Sequence, residues 1–151
     1  MIHHEHDRTL GIKVGAITWN EFFGHEETLL TAGVDADIIH LGEGTRIGLY
    51  FDTAGVFEQH TPYDYYGGGI DLRQYLSDTH GAVLPYVGVG GGYYAGLLHD
   101  LHNTTWSDVG GKAFLGLELH CGAFLEAEYT YLPKQQDRDM SRFGLSIGFR
   151  F

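Results

Sequence analysis

Apolar side chains recur at every second position along most of this chain. Between residues 142 and 151, Phe143, Leu145, Ile147, Phe149 and Phe151 alternate with Gly144, Ser146, Gly148 and Arg150. Successive side chains of a strand point to opposite faces, so a period of two predicts a strand with one apolar face. The same pattern predicts strands over 9–18, 29–40, 45–55, 65–75, 84–96, 108–120 and 123–132. In 9–18, Leu10, Ile12, Val14 and Ala16 oppose Gly11, Lys13 and Gly15. In 108–120, Val109, Ala113, Leu115, Leu117 and Leu119 oppose Gly110, Lys112, Phe114, Gly116, Glu118 and His120. Eight strands of about 8–12 residues are near the length that crosses a bilayer at a tilt.

The connections alternate in length. Short turns lie at 42–44, 77–81 and 120–122, and longer segments at 20–27, 57–62, 97–105 and 133–141. Short turns at one end and long loops at the other predict an antiparallel meander with both chain ends on the turn side. An apolar last strand left at an open edge would be a template for unwanted pairing, and pairing it with the first strand removes that edge. The expected fold is therefore all-β: an eight-stranded antiparallel up-and-down barrel over 9–151, preceded by a tail at 1–8.

Alternation alone leaves open whether the apolar face points inward, as in a soluble lipocalin-like ligand barrel, or outward to lipid. The polar face favours lipid. It is rich in glycine and carries seven acids (Asp35, Asp37, Asp52, Asp71, Glu118, Glu126 and Glu128) and five bases (Lys13, Arg46, Arg73, Lys112 and Arg150). A narrow lumen needs small residues and lets opposite charges satisfy one another, whereas a solvated exterior has no need for so much glycine. Near the strand ends, Tyr129, Tyr131, Phe149 and Phe151 suit a membrane–water interface.

Composition agrees and narrows the function classes. The 23 glycines, ten tyrosines and nine phenylalanines beside three prolines favour strands and turns. A hydrophobic content of 43% argues against disorder. The net charge of −11, without a basic stripe, argues against a nucleic-acid partner. No apolar run is long enough for a transmembrane helix. The segment MIHHEHDR lacks the basic start and apolar middle of a signal peptide, so export implies a signal already removed.

The stretches LPYVGVGGGYY, FLEAEYTYL and GLSIGFRF resemble the small outer-membrane barrels of the OmpA/OmpX type and related porin-like surface proteins, over about residues 9–151. The resemblance is one of pattern more than of fixed motif. It implies a place in the bacterial outer membrane among lipid and lipopolysaccharide, with periplasmic turns and extracellular loops. It also implies that the last strand, with Phe149 and Phe151, is an assembly signal read by the barrel assembly machinery. A simple interface anchor is the alternative for Phe151.

Candidate chemistry is sparse. HHEH at 3–6 contains possible metal ligands, but a short terminal segment lacks the rigidity and supporting hydrogen bonds of a metal site. It is read as tail, and no metal or cofactor is assigned. Glu118, Glu126 and Glu128 should lie together across the 120–122 hairpin, with His120 at its end. Clustered carboxylates can serve as acid and base, yet in a polar lumen they pair with bases such as Lys112 or Arg150. Lipid A deacylases share this kind of barrel and use a His-x-Ser pair with a Glu; no His-x-Ser occurs here. GVGGG at 88–92 lacks the Lys-Ser/Thr of a phosphate loop. Cys121, the one cysteine, is a bystander in a turn or a cross-link between copies.

Recognition falls to the loops. Segments 19–27, 57–64, 95–107 and 133–142 carry Phe22, Phe23, His60, Tyr63, His99 and His102 as contacts for an extracellular partner. The sequence thus points to a non-enzymatic outer-membrane barrel with a structural or surface-interaction role. A lipid-modifying enzyme, a soluble ligand-binding barrel and a narrow channel stand as alternatives.

Overall fold

The computed structural model describes residues 8–19, 28–55, 63–77, 82–98, 104–133 and 141–151. Its strands are β1 (Leu10–Trp19), β2 (Thr28–Leu41), β3 (Thr45–Ala54), β4 (Tyr63–Tyr75), β5 (Val83–Leu98), β6 (Thr104–Leu119), β7 (Ala123–Tyr131) and β8 (Arg142–Arg150). Each is antiparallel to the next, and β8 pairs with β1, so the sheet closes. At the seam Ile12 is opposite Phe149, and Trp19 is opposite Arg142. Beyond the ladder, the Thr9 N–H donates to the Phe151 carbonyl and the Phe151 N–H to the Leu10 carbonyl, both at 2.9 Å. Closure pairs the backbone groups of every strand, as hydrocarbon requires, since no water is there to replace them.

The faces sort as alternation predicts. Along β6, Val109, Leu115 and Leu117 are 66%, 60% and 48% exposed, while Lys112, Phe114 and Glu118 are no more than 5% exposed. Such an apolar exterior around a charged interior inverts the soluble plan. The lipocalin-like alternative, which needs the apolar face inside, is therefore overturned. Where β2 meets β3, a bulge between Asp37 and Ile39 inserts Ile38, so Ile38 and Ile39 both face outward while Asp37 stays in the lumen. Gly42 and Gly44 turn the β2–β3 hairpin at φ 69° and 118°, a backbone that side chains with a Cβ rarely adopt.

The structure departs from the sequence reading at the strand ends. β5 and β6 each run 16 residues, beyond the expected length. They continue pairing through Gly96 opposite Trp106 to Leu98 opposite Thr104, which moves much of the expected 95–107 loop into sheet. Pairing persists because Trp106 lies over the space Gly96 leaves. Likewise Tyr63, expected in a loop, begins β4, whereas β8 begins at Arg142, the first residue of the expected 142–151 strand. Arg8, assigned to the tail, lies against the barrel: its guanidinium donates to Glu118 and to the Leu119 and His120 carbonyls. His120, expected at the end of the inward row, sits exposed in the β6–β7 turn.

Candidate functional site: the charged lumen

Inward-facing ionisable groups form two tiers. Nearer the turns, every cation is an arginine. Arg73 reaches Asp35 and Asp37 at 3.1 Å each. Arg150 reaches Glu118 at 2.6 Å and Asp35 at 3.4 Å. Arg46 reaches Asp37 at 3.4 Å, and Arg8 reaches Glu118 at 3.3 Å. The Tyr75 hydroxyl donates at 2.6 Å to Glu118 Oε2, the oxygen that Arg150 reaches, while Arg8 meets Oε1. A guanidinium offers five donors in a rigid fork, so one arginine can join two carboxylates on different strands. Arg150 on β8 does this with Asp35 of β2 and Glu118 of β6, while Arg73 on β4 holds two carboxylates of one strand, Asp35 and Asp37 of β2.

The second tier uses lysines. Lys13 Nζ lies 3.1 Å from both Glu126 and Glu128, and 3.4 Å from Asp52. Lys112 Nζ lies 3.8–3.9 Å from Asp71, Asp52 and Glu128. Tyr86 donates to the remaining oxygen of Glu126 at 2.9 Å. An ammonium is a compact charge with three rotatable donors, suited to a cluster of carboxylates that approach from several strands. Removing one member of such a buried pair typically costs about 3–5 kcal/mol, because the other charge is left uncompensated.

Aromatic rings separate and cover the charges. Lys112 Nζ stands 3.5 Å above the Tyr50 ring, and the Arg142 guanidinium 3.6 Å above Tyr65. Arg150 faces Phe124 at 4.5 Å, and Arg73 faces Tyr86 at 5.3 Å. Each contact sets a cation on the electron-rich face of a ring. Room for these rings comes from glycines directly across the strand: Gly67 opposite Tyr94, Gly88 opposite Phe114, Gly116 opposite Tyr86 and Gly148 opposite Phe124. At each, an added Cβ would land on the opposing ring. At the loop end the lumen turns apolar, where Ile17, Leu29, Ala54, Tyr65, Tyr94, Trp106 and Leu132 pack at no more than 7% exposure.

All twelve charges predicted for the interior point inward, but they do not form one network. Glu118 belongs to the arginine tier, apart from Glu126 and Glu128, which share Lys13. Two bases were missed: Arg8, which precedes β1 and was read as tail, and Arg142, which continues the inward row of the 142–151 strand but was also counted in the 133–142 loop. Asp108 was missed as well: it stands opposite the fully buried Tyr94 and so shares its inward face at the loop end, which gives eight acids and seven bases on that face among the described residues. The apolar cap was also missed: Leu29 and Leu30 are adjacent leucines, so the pattern could not show that Leu29 turns inward. Phe149 and Phe151 face outward at the turn end, their rings 5.4 Å apart. Phe22, Phe23, His60, His99 and His102 lie outside the described residues, as does HHEH. Cys121 is exposed in the β6–β7 turn.

A closed eight-stranded barrel, apolar outside and charged within, is a transmembrane β-barrel of the small outer-membrane type. Solved structures share this fold. Neisserial surface protein A (NspA) matches with a TM-score of 0.72 at 14% identity, over 94% of this chain and 96% of that one. The N-terminal β-barrel domain of Pseudomonas aeruginosa OprF matches at 0.55 and 14%, over 93% and 97%. Ail, the attachment invasion locus protein of Yersinia pestis, matches at 0.55 and 16%, over 95% and 97%. At such identities the likeness is one of fold. No family model matches the chain, and no curated protein matches it in sequence.

Proposed function

We propose that this protein is a non-enzymatic barrel of the bacterial outer membrane, acting structurally or through surface contacts made by its loops. The observation that carries this reading is the occupancy of the lumen. Each of the seven carboxylates of the two tiers lies within 4.0 Å of a lysine or arginine, so these carboxylates are committed to cross-strand pairing. Rings, paired charges and the apolar cap occupy the interior, which also disfavours a channel, since eight strands leave only enough width for side chains. Two proteins of this fold carry surface roles in their names, Neisserial surface protein A and attachment invasion locus protein. Lipid and lipopolysaccharide surround the barrel in this reading, the assembly machinery inserts it, and an extracellular partner meets 20–27, 55–62, 99–103 and 134–140.

Two measurements test this. The protein should leave cell envelopes only with detergent and show heat-modifiable mobility on a gel; extraction by buffer alone would defeat the membrane reading. Purified protein incubated with lipopolysaccharide and phospholipid should yield no new products by mass spectrometry. Turnover lost on changing a single residue would establish the enzyme alternative.

A further inference from the structure

The β6–β7 turn presents a thiol on a fixed corner. The Gly122 N–H donates to the Leu119 carbonyl at 2.8 Å, so His120 and Cys121 are the two central residues of a β-turn. The His120 N–H donates to the Ala82 carbonyl at 3.1 Å, and the Arg150 N–H to the Gly122 carbonyl at 2.9 Å, which fastens the corner to the strands on both sides. Cys121 is exposed there.

The start of the chain is fastened to the same corner. The Arg8 guanidinium donates to Glu118 and to the Leu119 and His120 carbonyls. Its backbone is held as well, because Arg46 donates to the Arg8 carbonyl at 3.3 Å and the Thr9 N–H to the Phe151 carbonyl at 2.9 Å. His6 and His4 stand two and four residues before Arg8, so their Cα atoms lie within about 7 and 14 Å of that of Arg8. A short tail has no rigidity of its own, but Arg8 fixes the root of this one beside the thiol. Side-chain charge at this end favours a cation. Besides the three carboxylates and four guanidiniums of the arginine tier, it carries Glu5, Asp7, Glu43 and Asp78 and no further lysine or arginine, so seven acids stand against four bases. Among the described residues alone, no three His, Cys, Asp or Glu side chains gather as a metal site. The turn therefore needs the tail to hold an ion.

We propose that His4 and His6 of the tail and Cys121 of the β6–β7 turn together bind one divalent transition-metal ion of the Zn2+ class, on the turn side of the membrane. Imidazole nitrogen and thiolate sulfur are the donors such ions prefer, whereas Mg2+ and Ca2+ seek oxygen. Residues two apart in an extended segment share a face, which lets His4 and His6 close on one ion. As the metal–sulfur bond forms, the Cys121 thiol gives its proton to water, and a water molecule completes the coordination. The inference takes from the membrane reading only that the turns stand in water. A tail that binds metal without the turn is the competing arrangement, and the test separates the two.

Folded, reduced protein in detergent micelles is titrated with Co2+, and the cobalt is then displaced with Zn2+ or challenged with Mg2+. The parent should take up one Co2+ per chain and develop a thiolate-to-cobalt charge-transfer band that Zn2+ bleaches and Mg2+ leaves intact. Cys121→Ser should lose the band and bind Zn2+ at least tenfold more weakly, as should the double variant His4→Ala with His6→Ala. Arg8→Gln keeps all three ligands but frees the root of the tail, so it too should weaken Zn2+ binding at least tenfold, because tethering sets the effective concentration. His25→Ala, at the loop end, should bind as the parent does. Heat-modifiable mobility reports folding of each variant; if Arg8→Gln does not fold, four glycines inserted between Asp7 and Arg8 take its place. A parent without the charge-transfer band overturns the proposal. So does undiminished Zn2+ binding by Cys121→Ser or by the variant with the freed tail, which would leave a metal-binding tail alone. A Cys121 disulfide between copies, seen on a non-reducing gel of native envelopes, overturns it as well. Extraction of the parent by buffer alone would instead refute the membrane reading, whatever the metal result.

Discussion

Replacing Gly67 with alanine tests whether the lumen glycines exist to seat aromatic rings. Gly67 faces inward opposite Tyr94. An added Cβ would sit on Tyr94 Cδ1 and 2.5 Å from its Cε1, with Tyr65 Cε2 at 3.2 Å; its nearest neighbours are all ring atoms, none of them backbone. The cost then depends on whether the ring can move, and it is held on several sides. Tyr94 is fully buried, its hydroxyl lies 2.7 Å from that of Tyr50, and Tyr65 stacks beside it with ring centroids 6.2 Å apart. Tyr50 is covered by Lys112 and Tyr65 by Arg142, so displacing one ring disturbs two cation contacts. Overpacking of this kind costs about 1–3 kcal/mol.

Tyr94→Ala alone should cost about 3–5 kcal/mol, as large-to-small changes of buried aromatics do. In that background the alanine at position 67 meets space instead of a ring, so its penalty should vanish. The double variant should therefore be more stable than the sum of the single changes by about 1–3 kcal/mol. Urea titration of the folded barrel in lipid vesicles, followed by the fluorescence of its two tryptophans, measures all three variants. If Gly67→Ala costs the same with and without the Tyr94 ring, the pairing of glycine with ring is not what the position requires.

Other consequences are equally direct. Val89→Arg, on the lipid face midway along β5, should destabilise the barrel in bilayers by about 2–4 kcal/mol; unchanged urea midpoints would contradict the outward assignment. Lys13→Met leaves Glu126 without a cation, and Glu128 and Asp52 with Lys112 alone, and should cost about 3–5 kcal/mol, with Glu126→Gln in the same chain recovering part of it; an unaltered midpoint would show that Lys13 contributes nothing. Phe151→Ala should lower the amount of assembled barrel in cells while leaving refolding into vesicles unchanged, if the residue is read by the assembly machinery. Equal losses in both settings would make it an anchor instead.

Strand phase was legible wherever a run of alternation was long enough to be unambiguous. Lys112, Glu118 and Arg150 could be placed in the lumen from sequence because each stands between outward apolar neighbours. In the glycine-rich fifth strand too, Val87 and Val89 face out while Gly88 and Gly90 line the inside. What failed was the assumption that the inward face is polar along its whole length. Ile17, Leu29 and Trp106 line the loop end, where the barrel seals itself with apolar packing instead of ion pairs. The pairing of the carboxylates was also illegible. Residues close along one hairpin, such as Glu118 and Glu126, are sorted by cations from distant strands, Arg150 for one and Lys13 for the other. Local spacing carries no information about which strand lies across the lumen.

The charge balance ties interior to exterior. The chain has 20 acids and nine bases. Among the described residues, the seven acids of the two tiers are balanced by seven bases once Arg8 and Arg142 are included, as burial in a low-dielectric setting favours. The entire net charge of −11 therefore belongs to the remaining thirteen acids and two bases, Lys134 and Arg138. Eight of those acids, Glu21, Glu26, Glu27, Glu58, Asp64, Asp100, Asp137 and Asp139, lie in or beside the long connections. The charge that the strands would not tolerate is carried by the segments that a surface role would use. A barrel trimmed in its long loops should accordingly keep its thermal stability while becoming far less acidic. A large loss of stability on trimming would show that the loops, and not the paired charges of the lumen, hold the barrel together.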